Sequence, residues 1–148
     1  MALKRGTQSA EIHAPIEVCF ATIIDYETFQ DWQRAVKAVE VVERDAEGRG
    51  ELVSFEVDLG VRRLEYRLRY HYEPPVRVWW DFVSGDFARD IDGDFRFETA
   101  GASTRAIYSI SLRPAVPVPG FLARRLEREM MKRSVEDLRQ EAEERART

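Results

Sequence analysis

The chain has little of what metal, redox and nucleophilic chemistry need. Its 148 residues include one cysteine, Cys19, and two histidines, His13 and His71. A lone cysteine closes no internal disulfide. One cysteine and two distant histidines do not make a tetrahedral zinc set, so no metal site is expected. Both histidines fall on the outward phase of their strands, which leaves a Ser-His-Asp or Cys-His arrangement without its base. Cys19 lies on the apolar face of a helix and reads as a small buried hydrophobe. Gly93 and Gly101 are isolated turn glycines, so no phosphate-cradling loop is present and no cofactor is called for. No apolar run approaches the ~20 residues of a membrane span. The segment Met1–Gly6 has no stretch of signal-peptide length, which together with the single cysteine leads to a cytoplasmic expectation. The net charge of −4 argues against a general nucleic-acid binder.

What is present suits a globular protein: 44% apolar and 34% charged residues. The length fits one domain over 1–148, with about 140–148 as a frayed tail. The middle of the chain reads as strands. Ala35–Glu43 and Gly50–Asp58 are β-prone runs on either side of a turn at Asp45–Gly48. After a turn at Asp58-Leu59-Gly60 comes the clearest alternation. Leu64, Tyr66, Leu68, Tyr70 and Tyr72 point one way, and Arg63, Glu65, Arg67, Arg69 and His71 the other. Pro74-Pro75 ends that strand, and Val76, Val78, Trp80 and Phe82 continue the inward phase. Ser84-Gly85-Asp86 breaks the chain again before a strand over Gly93–Thr99, with Phe95 and Phe97 inward. The last strand puts Ala106, Tyr108, Ile110 and Leu112 on one face. Short turns between successive strands favour an antiparallel meander. Pro114, Pro117 and Pro119 precede a long helix from about Gly120 to about Arg145. Leu122, Leu126 and Met130 form one stripe on it; Met131, Val135, Leu138 and Ala142 continue it slightly rotated.

The opening carries a recognisable pattern. Pro15 suits the first position of a helix, and Ile16, Cys19, Phe20, Ile23 and Ile24 recur at helical spacing. Phe29 and Trp32 follow on a second short helix. The pattern A-P-x-E-x-V-x-x-x-x-x-D-Y-x-x-F-x-x-W over Ala14–Trp32 resembles the opening of the SRPBCC superfamily, which includes START lipid-transfer domains, the birch-pollen-allergen fold and polyketide cyclases. Gly85–Phe97 is similar to a G-x-F-x-x-x-x-G-x-W/F-x-F run of the subgroup holding coenzyme Q-binding proteins, a ribosome-association toxin and polyketide cyclase/dehydrase proteins. Two departures stand out: Gln30 replaces a frequent proline, and the Asp90–Gly93 spacing is one residue longer. The resemblance implies an α+β helix-grip fold, in which a curved antiparallel sheet wraps around a long C-terminal helix, with two short N-terminal helices. It also implies an apolar cavity between sheet and helix.

The inward residues then become candidate ligand contacts: Tyr66, Leu68, Tyr70, Trp80, Phe82, Phe97, Tyr108, Leu126 and Met130. A buried phenol wants a partner, so several on one face suggest a roomy, partly wet interior; alternatively each reaches the rim and water. The aromatic residues serve equally as ordinary core. Arg62 and Phe121 are candidate entrance residues. Arg62 reads either as a solvent-facing rim residue or as a group that orients an acidic or carbonyl end of a ligand. The proline-punctuated segment Val116–Phe121 is expected to open locally. The leading expectation is non-catalytic binding or transfer of a lipid, polyisoprenoid or aromatic polyketide. A polyketide cyclase or dehydratase is the second, and a ribosome- or protein-interaction module the third. Arg124, Arg125, Arg128, Lys132 and Arg133 beside an apolar loop read as a solvated helix back, or as a peripheral contact with anionic lipid.

Overall fold

Alternating apolar and polar residues drive most of this chain into strands, and turn chemistry sets where they reverse. The computed structural model describes residues 6–58, 63–86, 88–114 and 119–148, without the side chains of Pro114, Ala123 and Leu126. The strands are β1 (Gly6–Ile12), β2 (Val36–Arg44), β3 (Gly50–Asp58), β4 (Arg63–Glu73), β5 (Arg77–Gly85), β6 (Ala88–Ala100) and β7 (Ser103–Pro114). Helix α1 (Ile16–Ile23), a 3-10 turn (Tyr26–Thr28) and helix α2 (Phe29–Trp32) lie between β1 and β2, and α3 (Gly120–Ala146) ends the chain. All strand pairs are antiparallel, in the order β1-β7-β6-β5-β4-β3-β2.

The meander follows from its turns. Between β2 and β3, the Asp45 carboxylate accepts the backbone N–H groups of Glu47 and Arg49 at 3.0 and 2.9 Å, and Gly48 takes the left-handed conformation the reversal needs. Gly101 does the same between β6 and β7. Because β1 and β2 are opposite edges of the sheet, α1 and α2 must cross from one edge to the other. They do so over the concave face. Helix α3 lies over the same face, packed on β1, β7 and α1. Its buried stripe is Met131, Val135, Leu138 and Ala142. No helix among the described residues is long and apolar enough to cross a membrane.

Several sequence expectations are adjusted. Pro15 is the N-cap of α1 rather than its first helical residue. Val76 is exposed instead of inward, because the turn after β4 runs through it, its N–H reaching the Glu73 carbonyl at 2.9 Å. The strand expected to start at Gly93 starts at Ala88. Its polar first half pairs with β7 as Asp90↔Arg113, Ile91↔Leu112 and Asp92↔Ser111, and Ile91 is buried. Among the described side chains of α3, burial begins at Glu127, and Leu122 is exposed.

Candidate functional site

The concave face and α3 enclose a cavity of about 200 Å³. Strand phase explains its walls. Phe55 and Val57 of β3, Leu64, Tyr66, Leu68 and Tyr70 of β4, Val78 and Trp80 of β5, Ile91 and Phe95 of β6, and Tyr108 and Ile110 of β7 all line it. Ile23 and Phe29 close one end, and Glu127, Met130, Met131 and Ser134 form the α3 side. The lining residues that are exposed to solvent are Glu65, Glu129 and Arg133. The cavity therefore reaches the surface between the start of β4 and the middle of α3, beside Gln33 and Ala35 at the α2–β2 junction. Asp137 of α3 holds that junction, accepting hydrogen bonds from the Arg34 backbone N–H at 3.1 Å and from Arg34 Nε at 3.0 Å.

Of the candidate ligand contacts, Tyr66, Leu68, Tyr70, Trp80, Tyr108 and Met130 lie on the cavity wall. Phe97 lies elsewhere. It is buried edge-on to Phe20 at 6.4 Å and stacked with Phe95 at 6.1 Å, in the part of the face that α1 covers. Phe82 is half-buried near the end of β5, packed against the core. Arg62 and the side chain of Leu126 fall outside the described residues. Phe121 is 73% exposed in the first turn of α3, away from the lining.

The tyrosines in and around the cavity divide into two bonded ones outside the lining and three unbonded ones within it. Tyr72 donates to the Gly50 carbonyl, and Tyr26 and Tyr72 share a hydrogen bond of 2.7 Å. Tyr66, Tyr70 and Tyr108 make no hydrogen bond among the described residues. Burial pushes the Tyr66 phenol up to about 12 and raises those of Tyr70 and Tyr108 as well, so all three remain uncharged. Trp80 is caged by Tyr70, Phe95 and Tyr108, with ring centroids 5.7, 6.2 and 5.9 Å away. Its indole packs against Gly93, where an added Cβ would stand 2.8 Å from Cζ2. Its Nε1 is buried without a hydrogen-bond partner among the described residues.

Sequence reasoning missed Glu127. Stepping the Met131 stripe back by four residues lands on it, but a glutamate there reads as the end of the stripe. It is 7% exposed. Its Oε1 lies so close to the Gly6 backbone that a Cβ on Gly6 would be 2.5 Å away, and it accepts the Gly6 N–H. Burial raises its carboxyl above the ordinary range, and the Gly6 bond works the other way.

The histidines and the cysteine stand apart from this wall. His13 is exposed, with Nδ1 3.1 Å from Ser103 Oγ. His71 lies on the outer face, 2.7 Å from Asp81 and stacked on Trp79. Cys19 is fully buried, and that burial raises its thiol away from reactivity. No group of three or more metal-ligating side chains occurs among the described residues.

The fold is widely shared. A START superfamily protein from Mycobacterium smegmatis superimposes with a TM-score of 0.87 at 19% identity, covering 97% of each chain. The ZhuI aromatase/cyclase from Streptomyces sp. R1128 gives 0.82 at 14% identity, over 96% of this chain and 94% of that one. A protein from Thermus thermophilus gives 0.79 at 22% identity over 97% of both. At these identities the likeness concerns the fold. No curated protein matches the sequence. The family profile described as polyketide cyclase/dehydrase and lipid transport matches residues 5–143, almost the whole chain, and the helix-grip architecture around an apolar cavity is the one that the Ala14–Trp32 pattern implies. The chain thus belongs to the polyketide cyclase/dehydrase and lipid transport family.

Proposed function

We propose that this protein binds a compact hydrophobic small molecule in the cavity under α3, as a carrier or receptor rather than as a hydrolase. The observation that carries this reading is the cavity itself: about 200 Å³, walled by aromatic and aliphatic side chains and reaching the surface at one side. Small-molecule pockets typically span ~300–1,000 Å³, so this one favours a small ring system over a long-chain lipid or polyisoprenoid. Tyr66, Leu68, Tyr70, Trp80, Tyr108 and Met130 are the proposed contacts. Apolar area removed from water drives affinity at ~25 cal/mol per Å² before the costs of association. Loading takes place through the opening beside Glu65, Glu129 and Arg133. Native mass spectrometry of freshly purified protein is the test. The expected spectrum carries an adduct that is lost on denaturation. A ligand-free spectrum, together with no thermal stabilisation by a panel of small aromatic compounds, overturns the reading.

A cyclase is the second reading. What favours it is the convergence of phenols and the Glu127 carboxyl on one apolar volume, where a folded poly-β-ketone would be held in a fixed conformation. Incubation with a linear poly-β-ketone surrogate separates the two. A carrier leaves the uncatalysed product distribution unchanged, and a cyclase shifts it to one ring pattern.

A further inference from the structure

The cavity sets polar groups that the described residues leave unbonded against apolar walls. Two of the five tyrosines, Tyr26 and Tyr72, satisfy each other and the Gly50 carbonyl. The other three, Tyr66, Tyr70 and Tyr108, line the cavity within electrostatic range of one another. A hydroxyl that opens onto the cavity without a partner among the described residues can bond an oxygen on a bound molecule. An uncharged phenol serves such an oxygen as donor or acceptor. A pure hydrocarbon would fill the volume and leave the hydroxyls unmet, which is how a polar site rejects an analogue lacking its oxygen.

The charges on the lining point the same way. Among the described residues they are the carboxyls of Glu65, Glu127, Glu129 and Asp137 and the guanidinium of Arg133. Glu65, Glu129 and Arg133 are exposed at the opening, and Asp137 is held by Arg34. Glu127 is the carboxyl that is buried within the wall and bonded to backbone rather than to a cation. It acts electrostatically on Tyr108. A ligand carboxylate lodged among the phenols would meet a like charge in a medium too apolar to screen it.

We propose that Glu127 makes the cavity a charge filter, so that with Tyr66, Tyr70 and Tyr108 as oxygen readers the site takes an uncharged, oxygenated ring compound (a phenol, quinone or ketone) and turns away carboxylates such as fatty acids. This rests on the ligand-binding reading above.

The test compares three probes of one size at pH 7.5: 2-naphthol, naphthalene and 2-naphthoate, by competition against a fluorescent ligand. The expected order places 2-naphthol roughly tenfold tighter than naphthalene, the worth of about one good hydrogen bond, with 2-naphthoate weakest. Glu127→Gln keeps the acceptor for the Gly6 N–H and should narrow the gap between 2-naphthoate and 2-naphthol to within a few-fold. Tyr108→Phe and Tyr66→Phe should each move 2-naphthol toward naphthalene. Wild-type protein that binds 2-naphthoate as tightly as 2-naphthol overturns the filter, whatever the variants do. If all three probes bind equally, the oxygen-reading role is lost while the ligand-binding reading stands. If none binds and the native spectrum is also empty, both readings fail together.

Discussion

Glu127 shows how one side chain links stability to pH. Burial raises its carboxyl above the ordinary value of 4.5. The Gly6 N–H from β1 opposes that rise, and Tyr108 faces it from β7. A carboxyl that is easier to protonate in the folded chain than in the unfolded one costs nothing below its unfolded value. The cost grows as pH rises above 4.5 and is complete above the folded value. Glu127→Gln is therefore expected to raise the urea midpoint at pH 7.5, and this gain should fade to nothing below about pH 4.5. A difference between variant and wild type that stays flat across that range would mean the carboxylate is well solvated. The tyrosines of this wall are legible in the sequence, because alternation in β4 and β7 puts Tyr66, Tyr70 and Tyr108 in the same phase as leucine and isoleucine. Glu127 is not, since a charge in an apolar stripe looks like its boundary. Phe97 shares the phase of Phe95, yet packs against Phe20. Strand phase names the face of a sheet, not which stretch of that face a helix covers.

At the scale of elements, the 3-10 turn is tied to the sheet by the chain from Tyr26 through Tyr72 to the Gly50 carbonyl. Since Tyr72 gives its proton to Gly50, Tyr26 must donate to Tyr72. Gly50 makes room for this: a Cβ there would lie 2.8 Å from the Tyr26 ring. Tyr72→Phe removes both bonds and should cost about 1–3 kcal/mol, and Tyr26→Phe, which removes one, about 0.5–1.5 kcal/mol. The double variant should cost less than the sum, as neighbours in one network do. Strict additivity in urea titrations would show that the two hydroxyls act independently. Element order and most strand positions were readable from alternation and turn residues. The start of β6 was not, because Arg89–Asp92 has the composition of a loop and becomes strand only through its partner Ser111–Arg113. That pairing joins residues about twenty apart along the chain, which no local pattern reports.

For the molecule as a whole, the edges of the sheet decide where it can open. Helix α3 is fastened along β1, β7 and α1, whereas over β4 its middle turns overlie the cavity and its opening. Arg34 and Asp137 bridge the two sides at the α2–β2 junction. The cavity has a consequence for compressibility. Close-packed interiors resist hydrostatic pressure, and the volume lost on unfolding, ~20 to 100 mL/mol for proteins generally, scales with the internal void that unfolding eliminates. A void of about 200 Å³ puts this protein toward the upper end of that range without ligand. High-pressure fluorescence should find it unfolding at lower pressure than a solidly packed domain of equal thermal stability. A bound ring compound should shrink the volume change, because the space it occupies no longer collapses when the chain opens. An equal volume change with and without ligand would mean that water already fills the space, and the protein would then exchange one occupant for another rather than fill a hollow.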